Sequence, residues 1–260
     1  MIGRLLNGAG MALLVGMLSL LGCADATAAL PETIARVKPS VVVVGTFNKL
    51  RSPQFLMRGT GFAVGDGTLI VTNAHVINMA ERGETPDILM VLTRNGTEAR
   101  PQEVHLLASD AEHDLAVLRL AGPPLPALTL RPSDSAREGQ AVAFTGFPIG
   151  GALGFSPVTH RGVISSITPI ALPGGNAREL KDKSIRRLRS GAFPIFQLDA
   201  TAYPGNSGGP LYDAESGEVL GVINMVYVKA TKEAILEKPS GISYAIPAGF
   251  LMDLLETIRR

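Results

Sequence analysis

The amino-acid sequence predicts an all-β protein built from two β units and a closing helix. Glycine and proline are abundant, with 29 and 18 residues in a chain of 260, and long amphipathic helical patterns are scarce. The turn pairs Asp66-Gly67 and Asn95-Gly96 each separate two segments of strand-forming residues, as in β-hairpins. The proline-dense segment 121–134 cannot be a central strand, so we expect it to join the two units.

Strand patterns occur in both units. In the first unit they are VVVVGTF, preceded by a short helix, two strands within TGFAVGDGTLIVTNAHV, two within ILMVLTRNGTEAR, and DLAVLRL. In the second unit they are QAVAFTGFP, RGVISSI, IFQLDA and EVLGVINMVYV. We therefore predict an N-terminal β domain at residues 31–125 and a C-terminal β domain at residues 126–247. Residues 248–260 carry apolar side chains on one helical face, which predicts a C-terminal helix.

Residues 1–22 predict a signal peptide for export. The apolar stretch Met11–Leu21 has the length of a signal-peptide core and is too short to span a bilayer comfortably. Two processing sites remain open: LLGC, ending at Cys23, resembles a bacterial lipobox, and Ala26–Ala28 resembles an ordinary cleavage site. On either alternative we expect a linker at residues 23–30 and a periplasmic protein. Lipidation of Cys23 would in addition tether the protein to the outer membrane.

The remaining composition limits the classes of partner and cofactor. The formal net charge is +1, so we expect no nucleic-acid partner. Cys23 is the only cysteine, and no intramolecular disulfide can therefore stabilise the fold. Because no paired histidine or cysteine spacing suits zinc, we expect no metal site and no other cofactor.

The segment GNSGGP places glycines on both sides of Ser207. It also matches G-x-S-x-G, the nucleophile turn of α/β-hydrolases, in which the catalytic histidine follows the serine. All 4 histidines of this chain precede Ser207, which excludes that fold by chain order. The order that remains available is histidine, aspartate, serine.

His75 and Asp114 are the candidate partners of this serine. A serine hydroxyl needs an imidazole to accept its proton and a carboxylate to hold that imidazole in the right tautomer. His75 follows a predicted strand, and Asp114 heads the strand DLAVLRL, where a carboxylate can be buried. The remaining candidates are expected to lie outside the catalytic set: Asp110 and Glu112 as surface loop carboxylates, His113 as a solvated or structural histidine, and His105 and His160 as ordinary strand residues.

The glycines suit the oxyanion that forms when a serine attacks a peptide carbonyl. Backbone N–H groups must stabilise that negative charge. Gly205 permits a turn that aims its own N–H and that of Ser207 into one hole, so we predict an oxyanion hole at Gly205, Asn206 and Ser207. Gly208 and Gly209 leave space beside the nucleophile for the substrate.

As a set, these segments resemble the trypsin-like serine peptidases, most closely the bacterial Do-like (HtrA) branch. The matching stretches are GTGFAVGDGTLIVTNAHVI, HDLAVLRL, GFPIG, QLDATAYPGNSGGPLYD, GEVLGVINM and GISYAIPAG. The resemblance implies two perpendicular six-stranded antiparallel β-barrels, with catalytic His75, Asp114 and Ser207 at their junction. It implies a serine endopeptidase acting on unfolded or specific envelope polypeptides. The alternative is a trypsin-like fold that serves as a non-catalytic or partner-activated peptide-binding module.

Departures from the family bear on specificity. Thr201 stands six residues before Ser207, where trypsin-type specificity uses an acid, so a Lys or Arg side chain would be poorly received. We expect Ile223, Asn224 and Met225 to complete a substrate pocket for a small or medium aliphatic side chain. Asn206 replaces the aspartate that pairs with a freed N-terminus in digestive relatives, so we expect no such zymogen cleavage.

Other departures bear on regulation. Do-like enzymes usually carry C-terminal PDZ domains, and we expect none beyond the closing helix. Residues 173–194 hold six basic and two acidic side chains, which suit a solvated insertion or a regulatory docking loop. Do-like relatives are often trimers, and for this chain both a monomer and a trimer remain open.

Overall fold

Two closed antiparallel β-barrels follow one another along the chain. The computed structural model describes residues 29–78, 87–95, 98–151, 155–169, 193–224 and 241–259. The strands of the first barrel are β1 (Val41–Phe47), β2 (Phe55–Val64), β3 (Leu69–Asn73), β4 (Ile88–Asn95), β5 (Glu98–Asp110) and β6 (Leu115–Leu120). The strands of the second barrel are β7 (Ala141–Gly146), β8 (Val158–Pro169), β9 (Pro194–Asp199), β10 (Pro210–Asp213), β11 (Val219–Asn224) and β12 (Ile242–Pro247).

The two barrels follow the same path. The strand order is β1-β2-β3-β6-β5-β4 around the first barrel and β7-β8-β9-β12-β11-β10 around the second, and each barrel closes on itself. Closure leaves neither barrel with an open sheet edge. The predicted fold class, two six-stranded antiparallel barrels with short helices and a C-terminal helix, is confirmed.

Two strands of the second barrel had no strand pattern of their own in the sequence. β10 has four residues and follows directly on the glycine turn after Ser207. β12 lies in the stretch GISYAIPAG, which the sequence presents only as a family motif. Both strands are hydrogen-bonded to a neighbouring strand on each side. This pairing stabilises their extended conformation, which their own residue pattern does not predict.

The valine run at the start of β1 is apolar throughout because its two faces pack into different cores. Val41 and Val43 join the core between the barrels, whereas Val42 and Val44 fill the interior of the first barrel. A strand buried on both faces reads as a continuous apolar run rather than an alternating one. The core between the barrels also receives Tyr212 from β10, so one packed layer unites the two halves of the chain.

Three α-helices surround the barrels within the described ranges: α1 (Ala29–Val37), α2 (Ala74–Ile77) and α3 (Ala248–Arg259). Helix α1 reaches the second barrel, where the Thr33 hydroxyl donates to the Glu215 carbonyl at 2.8 Å. Helix α3 inserts Leu251 and Leu255 into the core between the barrels. No described helix is both long and apolar enough to cross a membrane.

We expect Leu198→Ala to lower the free energy of unfolding by about 2 to 5 kcal/mol, because it leaves a cavity in the second barrel. Leu198 lies on β9 and is fully buried in that barrel's interior. The matched control is Leu50→Ala, at a leucine that is 82% exposed, where the expected change is below about 0.5 kcal/mol. Urea denaturation measures both, and similar losses for the two variants would contradict the described packing.

Candidate active site

His75 stands where a strand of the first barrel ends. β3 stops at Asn73, and helix α2 begins at Ala74, so the chain leaves the sheet at this histidine. The main-chain carbonyl of Asp114 accepts hydrogen bonds from the Ala74 N–H at 3.1 Å and from the Asn73 side-chain amide at 3.0 Å. The His75 side chain retains 27% of its surface exposed. The backbone at the start of α2 is therefore hydrogen-bonded to Asp114 independently of the His75 side chain.

The Asp114 carboxylate holds the His75 ring in one orientation. Asp114 Oδ2 lies 2.6 Å from His75 Nδ1, and Asp114 Oδ1 accepts the His75 backbone N–H at 2.8 Å. Asn224, from β11 of the second barrel, donates its amide to Asp114 Oδ2 at 2.8 Å. Asp114 is buried among these neighbours, and its side chain has a relative exposure of only 9%. A neutral ring whose Nδ1–H is engaged in this way presents Nε2 as a proton acceptor.

The turn before Asp114 is braced by a second histidine–aspartate pair. Asp114 has φ +56°, a left-handed conformation that is uncommon outside glycine. Four residues earlier, Asp110 Oδ1 accepts the N–H groups of Glu112 and His113, and Asp110 Oδ2 lies 2.5 Å from His113 Nδ1. The His113 ring stacks on Phe250 of α3 at a centroid distance of 3.9 Å. Asp110 thus orders the backbone of the turn that leads to Asp114, rather than standing as a free surface carboxylate.

Ser207 follows a tight turn that only glycine can complete. The Asn206 N–H donates to the Tyr203 carbonyl at 3.0 Å, which closes a β-turn with Pro204 and Gly205 at its centre. Gly205 has φ +103°, and a side chain there would collide with the Phe147 carbonyl. Proline followed by a positive-φ glycine is the favoured pair for a type II turn.

The Pro204 and Gly205 carbonyls of this turn both accept hydrogen bonds from residues distant in the sequence. The Pro204 carbonyl accepts the Ile149 N–H at 2.7 Å, and the Gly205 carbonyl accepts the Thr60 hydroxyl at 2.7 Å. The same Thr60 hydroxyl accepts the Phe147 N–H at 3.1 Å. Because a trans peptide is planar, the fastened Pro204 carbonyl directs the Gly205 N–H to the opposite side. Sequence analysis missed Thr60 and Ile149, since neither stands near Ser207 in the chain.

Two N–H groups beside the Ser207 hydroxyl are left without a protein acceptor. The N–H groups of Asn206, Gly208 and Gly209 donate to carbonyls at 2.9–3.0 Å. In the part of the chain that the structure describes, the N–H groups of Gly205 and Ser207 make no such bond. The Asn206 N–H is thus used inside the turn, and this corrects its inclusion in the predicted oxyanion hole.

The serine turn lies against the first barrel. The Ser207 carbonyl accepts the Thr60 N–H of β2 at 2.9 Å, and a side chain at Gly208 would come within 3.1 Å of the Asn73 nitrogen. Ser207 therefore sits next to the junction of β3 and α2 that carries His75. Among the described hydrogen bonds, none joins the His75 ring to the Ser207 hydroxyl. Such bonds are often long in unliganded enzymes and tighten when substrate enters.

Two residues predicted to line the substrate pocket, Ile223 and Asn224, are placed differently in the structure. Thr201 is half-buried, and the residues on either side of it are held by Ser243 of β12, whose hydroxyl accepts the Ala202 N–H and donates to the Ala200 carbonyl. Ile223 instead packs in the interior of the second barrel, so its side chain does not form a pocket wall. The amide of Asn224 is committed to Asp114 rather than to the pocket.

Several predicted features lie outside the described residues: Cys23, Met225, and residues 173–192 of the basic segment. Of the remaining histidines, His105 is largely exposed, and His160 is stacked on Phe144 with a centroid distance of 4.9 Å. Burial lowers the pKa of His160, which favours its neutral form. Over the described ranges, no group of three or more His, Cys, Asp or Glu residues is placed to hold a metal ion.

The paired barrels and the His75–Asp114 pair beside Ser207 define a protein of the trypsin-like class. A family model described as a trypsin-like peptidase domain matches residues 59–222. The chain therefore belongs to the trypsin-like peptidase family.

Several individual proteins that this chain resembles carry the names of HtrA-type or DegP-like proteases. A "Probable periplasmic serine endoprotease DegP-like" of Halomonas elongata is 32% identical over 77% of this chain and 35% of its own length. "Serine protease HTRA3" of Rattus norvegicus is 32% identical over 84% of this chain and 41% of its own length. A solved structure, "HtrA-type protease AlgW with tripeptide", has a TM-score of 0.64 at 26% identity and covers 88% of this chain and 63% of that one. The chain thus spans little more than a third of these two curated relatives.

We expect Asp110→Asn to lower the free energy of unfolding at pH 7 by about 1 to 3 kcal/mol. Burial acts to raise the pKa of Asp110, but the hydrogen bonds from His113 and from the Glu112 N–H outweigh it, so the folded-state pKa lies below the ordinary 3.8. A carboxyl with a lowered folded-state pKa stabilises the fold above its unfolded pKa, and that contribution is lost as the pH falls through the folded value.

The difference between wild type and Asp110→Asn should therefore be constant above about pH 5 and shrink as the solution becomes more acidic. Urea denaturation across a pH series measures this. Asp253→Asn, at an exposed carboxylate on α3, is the control and should show little difference at any pH. A pH-independent deficit in Asp110→Asn would contradict the assigned role of the charged carboxylate.

Proposed function

We propose that this protein is an exported serine endopeptidase that uses His75, Asp114 and Ser207 as its catalytic residues. Support comes from the family membership, from relatives named as serine endoproteases, and from the geometry of the three residues. In this proposal Ser207 is the nucleophile, His75 the general base and then general acid, and Asp114 the residue that orients His75.

The reaction begins when His75 Nε2 accepts the Ser207 proton as the hydroxyl oxygen attacks the peptide carbonyl. Asp114, bonded to Nδ1, stabilises the imidazolium that forms. The carbonyl oxygen becomes an oxyanion, which the N–H groups of Gly205 and Ser207 stabilise. His75 then gives its proton to the leaving amine, and water hydrolyses the acyl-enzyme by the same steps in reverse order.

The selective lack of partners at the Gly205 and Ser207 N–H groups carries the proposal. Buried backbone N–H groups are almost always paired, and their neighbours at 206, 208 and 209 follow that rule. The N–H groups of Gly205 and Ser207 therefore remain available for an acceptor that arrives with the substrate. An incoming oxyanion is such an acceptor, and stabilising it accounts for a large share of the rate in acyl transfer.

We further propose a periplasmic location and polypeptide substrates. The bacterial relatives are named as periplasmic serine endoproteases, and the solved AlgW structures are named as complexes with peptides. Position 201 is a threonine and offers no carboxylate for a basic side chain, which favours a small or medium aliphatic residue before the scissile bond. Unfolded or specific envelope proteins are the proposed substrates, and lipidation of Cys23 is the proposed tether to the outer membrane.

Wild-type protein should react covalently with a fluorophosphonate probe, and Ser207→Ala should abolish the labelling, because the probe requires an activated serine nucleophile. Mass spectrometry of the labelled protein locates the modified residue. The matched control is Ser165→Ala, at an exposed serine on β8, which should label like the wild type. A folded wild-type protein that never reacts would favour the alternative of a non-catalytic peptide-binding module. Reaction only after addition of a partner would favour the partner-activated form.

We expect Thr60→Val to lower kcat about tenfold to a hundredfold with little change in KM, because it frees the Gly205 carbonyl and so loosens the turn between the two oxyanion donors, the N–H groups of Gly205 and Ser207. Peptide hydrolysis kinetics measure both constants. The control is Thr93→Val, another buried threonine of the first barrel, whose hydroxyl accepts a hydrogen bond from Gln102 away from the site. A Thr60→Val enzyme with unaltered kcat would show that the Thr60 hydroxyl does not organise the turn.

A further inference from the structure

Arg58 is the extra residue of a β-bulge close to Ser207. β1 and β2 pair residue by residue, with Val44 opposite Gly59 and Gly45 opposite Met57, so Arg58 has no opposite residue on β1. A bulge re-aims the side chain of its extra residue, and bulges are common beside active sites. The sequence indicates nothing unusual at this position, because a bulge depends on the pairing of two strands.

The guanidinium of Arg58 is buried along one edge without any acceptor. Nε and Nη2 are inaccessible to solvent and have no hydrogen-bond partner. These two nitrogens share the edge of a guanidinium that can donate in parallel to both oxygens of one carboxylate. Within the described ranges Arg58 also takes part in no ion pair. A positive charge without a counter-charge or acceptor is unfavourable in such a place.

Arg51, in the hairpin that joins β1 to β2, shows how a structural arginine is satisfied. Its Nη1 donates to Asp87 Oδ2 at 2.9 Å, and its Nη2 donates to the Thr46 carbonyl at 2.7 Å. Both arginines belong to the same β-hairpin, yet within the described ranges only Arg51 has acceptors for its buried nitrogens. The contrast indicates that the acceptor of Arg58 comes from elsewhere.

Arg58 lies on the side of the cleft from which a leaving group departs. Two residues further along β2, the Thr60 N–H is bonded to the Ser207 carbonyl, and Gly59 lies between Val76 of α2 and that carbonyl. His75 protonates the leaving amine, so the substrate segment after the scissile bond lies toward the first barrel. Thr201 and its neighbours belong to the second barrel and serve the segment before the bond.

We propose that Arg58 binds a substrate carboxylate, from an aspartate or glutamate within the first three residues after the scissile bond. The proposal rests on the proposed peptidase function and adds a specificity to the same site. Arg58 is only half-buried as a whole, so rotation of its flexible side chain can bring the unpartnered edge to the cleft. A carboxylate there would supply two charge-assisted hydrogen bonds to nitrogens that otherwise have none.

The test uses pairs of peptides that differ only by Glu or Gln at one of these three positions. Their sequence is taken from a site that the purified protein cleaves in a denatured protein mixture. We expect kcat/KM to be about tenfold to a hundredfold higher for the Glu peptide at one position, and the ratio to fall to within about twofold in Arg58→Leu. Arg58→Lys, which keeps the charge but not the two-nitrogen edge, should give an intermediate ratio. Arg51→Leu is the matched control and should retain the wild-type ratio.

Each ratio compares two peptides on one variant, so partial misfolding does not change it. Equal rates for both peptides in the wild type, or a Glu preference that persists in Arg58→Leu, would overturn the proposal. Fluorophosphonate labelling of Ser207 separates this failure from failure of the peptidase function. If no turnover is seen, calorimetry can measure the dissociation constants of the same peptides with the Ser207→Ala variant, with and without Arg58→Leu. The Glu peptide should then bind more tightly than the Gln peptide, and this difference should disappear when Arg58 is replaced by leucine.

Discussion

The buried carboxylate of Asp114 is the group on which the arrangement of the site depends. It accepts hydrogen bonds from the ring and the backbone of His75 in the first barrel and from Asn224 in the second. A buried charge is tolerated only when it is closely paired and hydrogen-bonded, so these donors cannot move apart without leaving it exposed to an apolar interior. The same three bonds therefore orient the histidine and fix the junction of the barrels. The Asp110–His113 pair extends this constraint to the backbone turn, which holds Asp114 in a left-handed conformation.

The turn before Ser207 differs from the Asp114 site, because its functional groups are backbone N–H groups that have no acceptor within the described residues. The Pro204 and Gly205 carbonyls are each fastened by a donor from a distant segment, which orients the peptides between them. This leaves the Gly205 and Ser207 N–H groups without acceptors at one place. Arg58 repeats the pattern on the neighbouring strand, where an arginine edge lacks the acceptor that Arg51 finds inside the protein. In both cases the described structure provides hydrogen-bond partners for the neighbouring groups and leaves particular donors near Ser207 without one.

The sequence predicted the elements whose signals are local. The turn pair Asp66-Gly67, the alternating strand after Asp114 and the amphipathic closing helix all correspond to elements of the structure. Prediction failed where long-range pairing decides the outcome. β10 and β12 are strands because they complete a closed barrel, and Ile223 faces the barrel interior because of the register of β11 with β12. The bulge at Arg58 likewise depends on how β2 pairs with β1.

The sequence by itself determined which chemical groups are present and in what order, namely His75, Asp114 and a serine flanked by glycines. Chain order alone excluded the α/β-hydrolase alternative, and the glycines of the GNSGGP segment permitted a tight turn at the serine. Tertiary structure alone decided that Asn224 binds the Asp114 carboxylate, 110 positions away, and that Thr60 and Ile149 hold the turn before Ser207. The physical reason is that a hydrogen bond depends on distance and direction in space, and residues far apart in a chain acquire both only when the barrels close and pack.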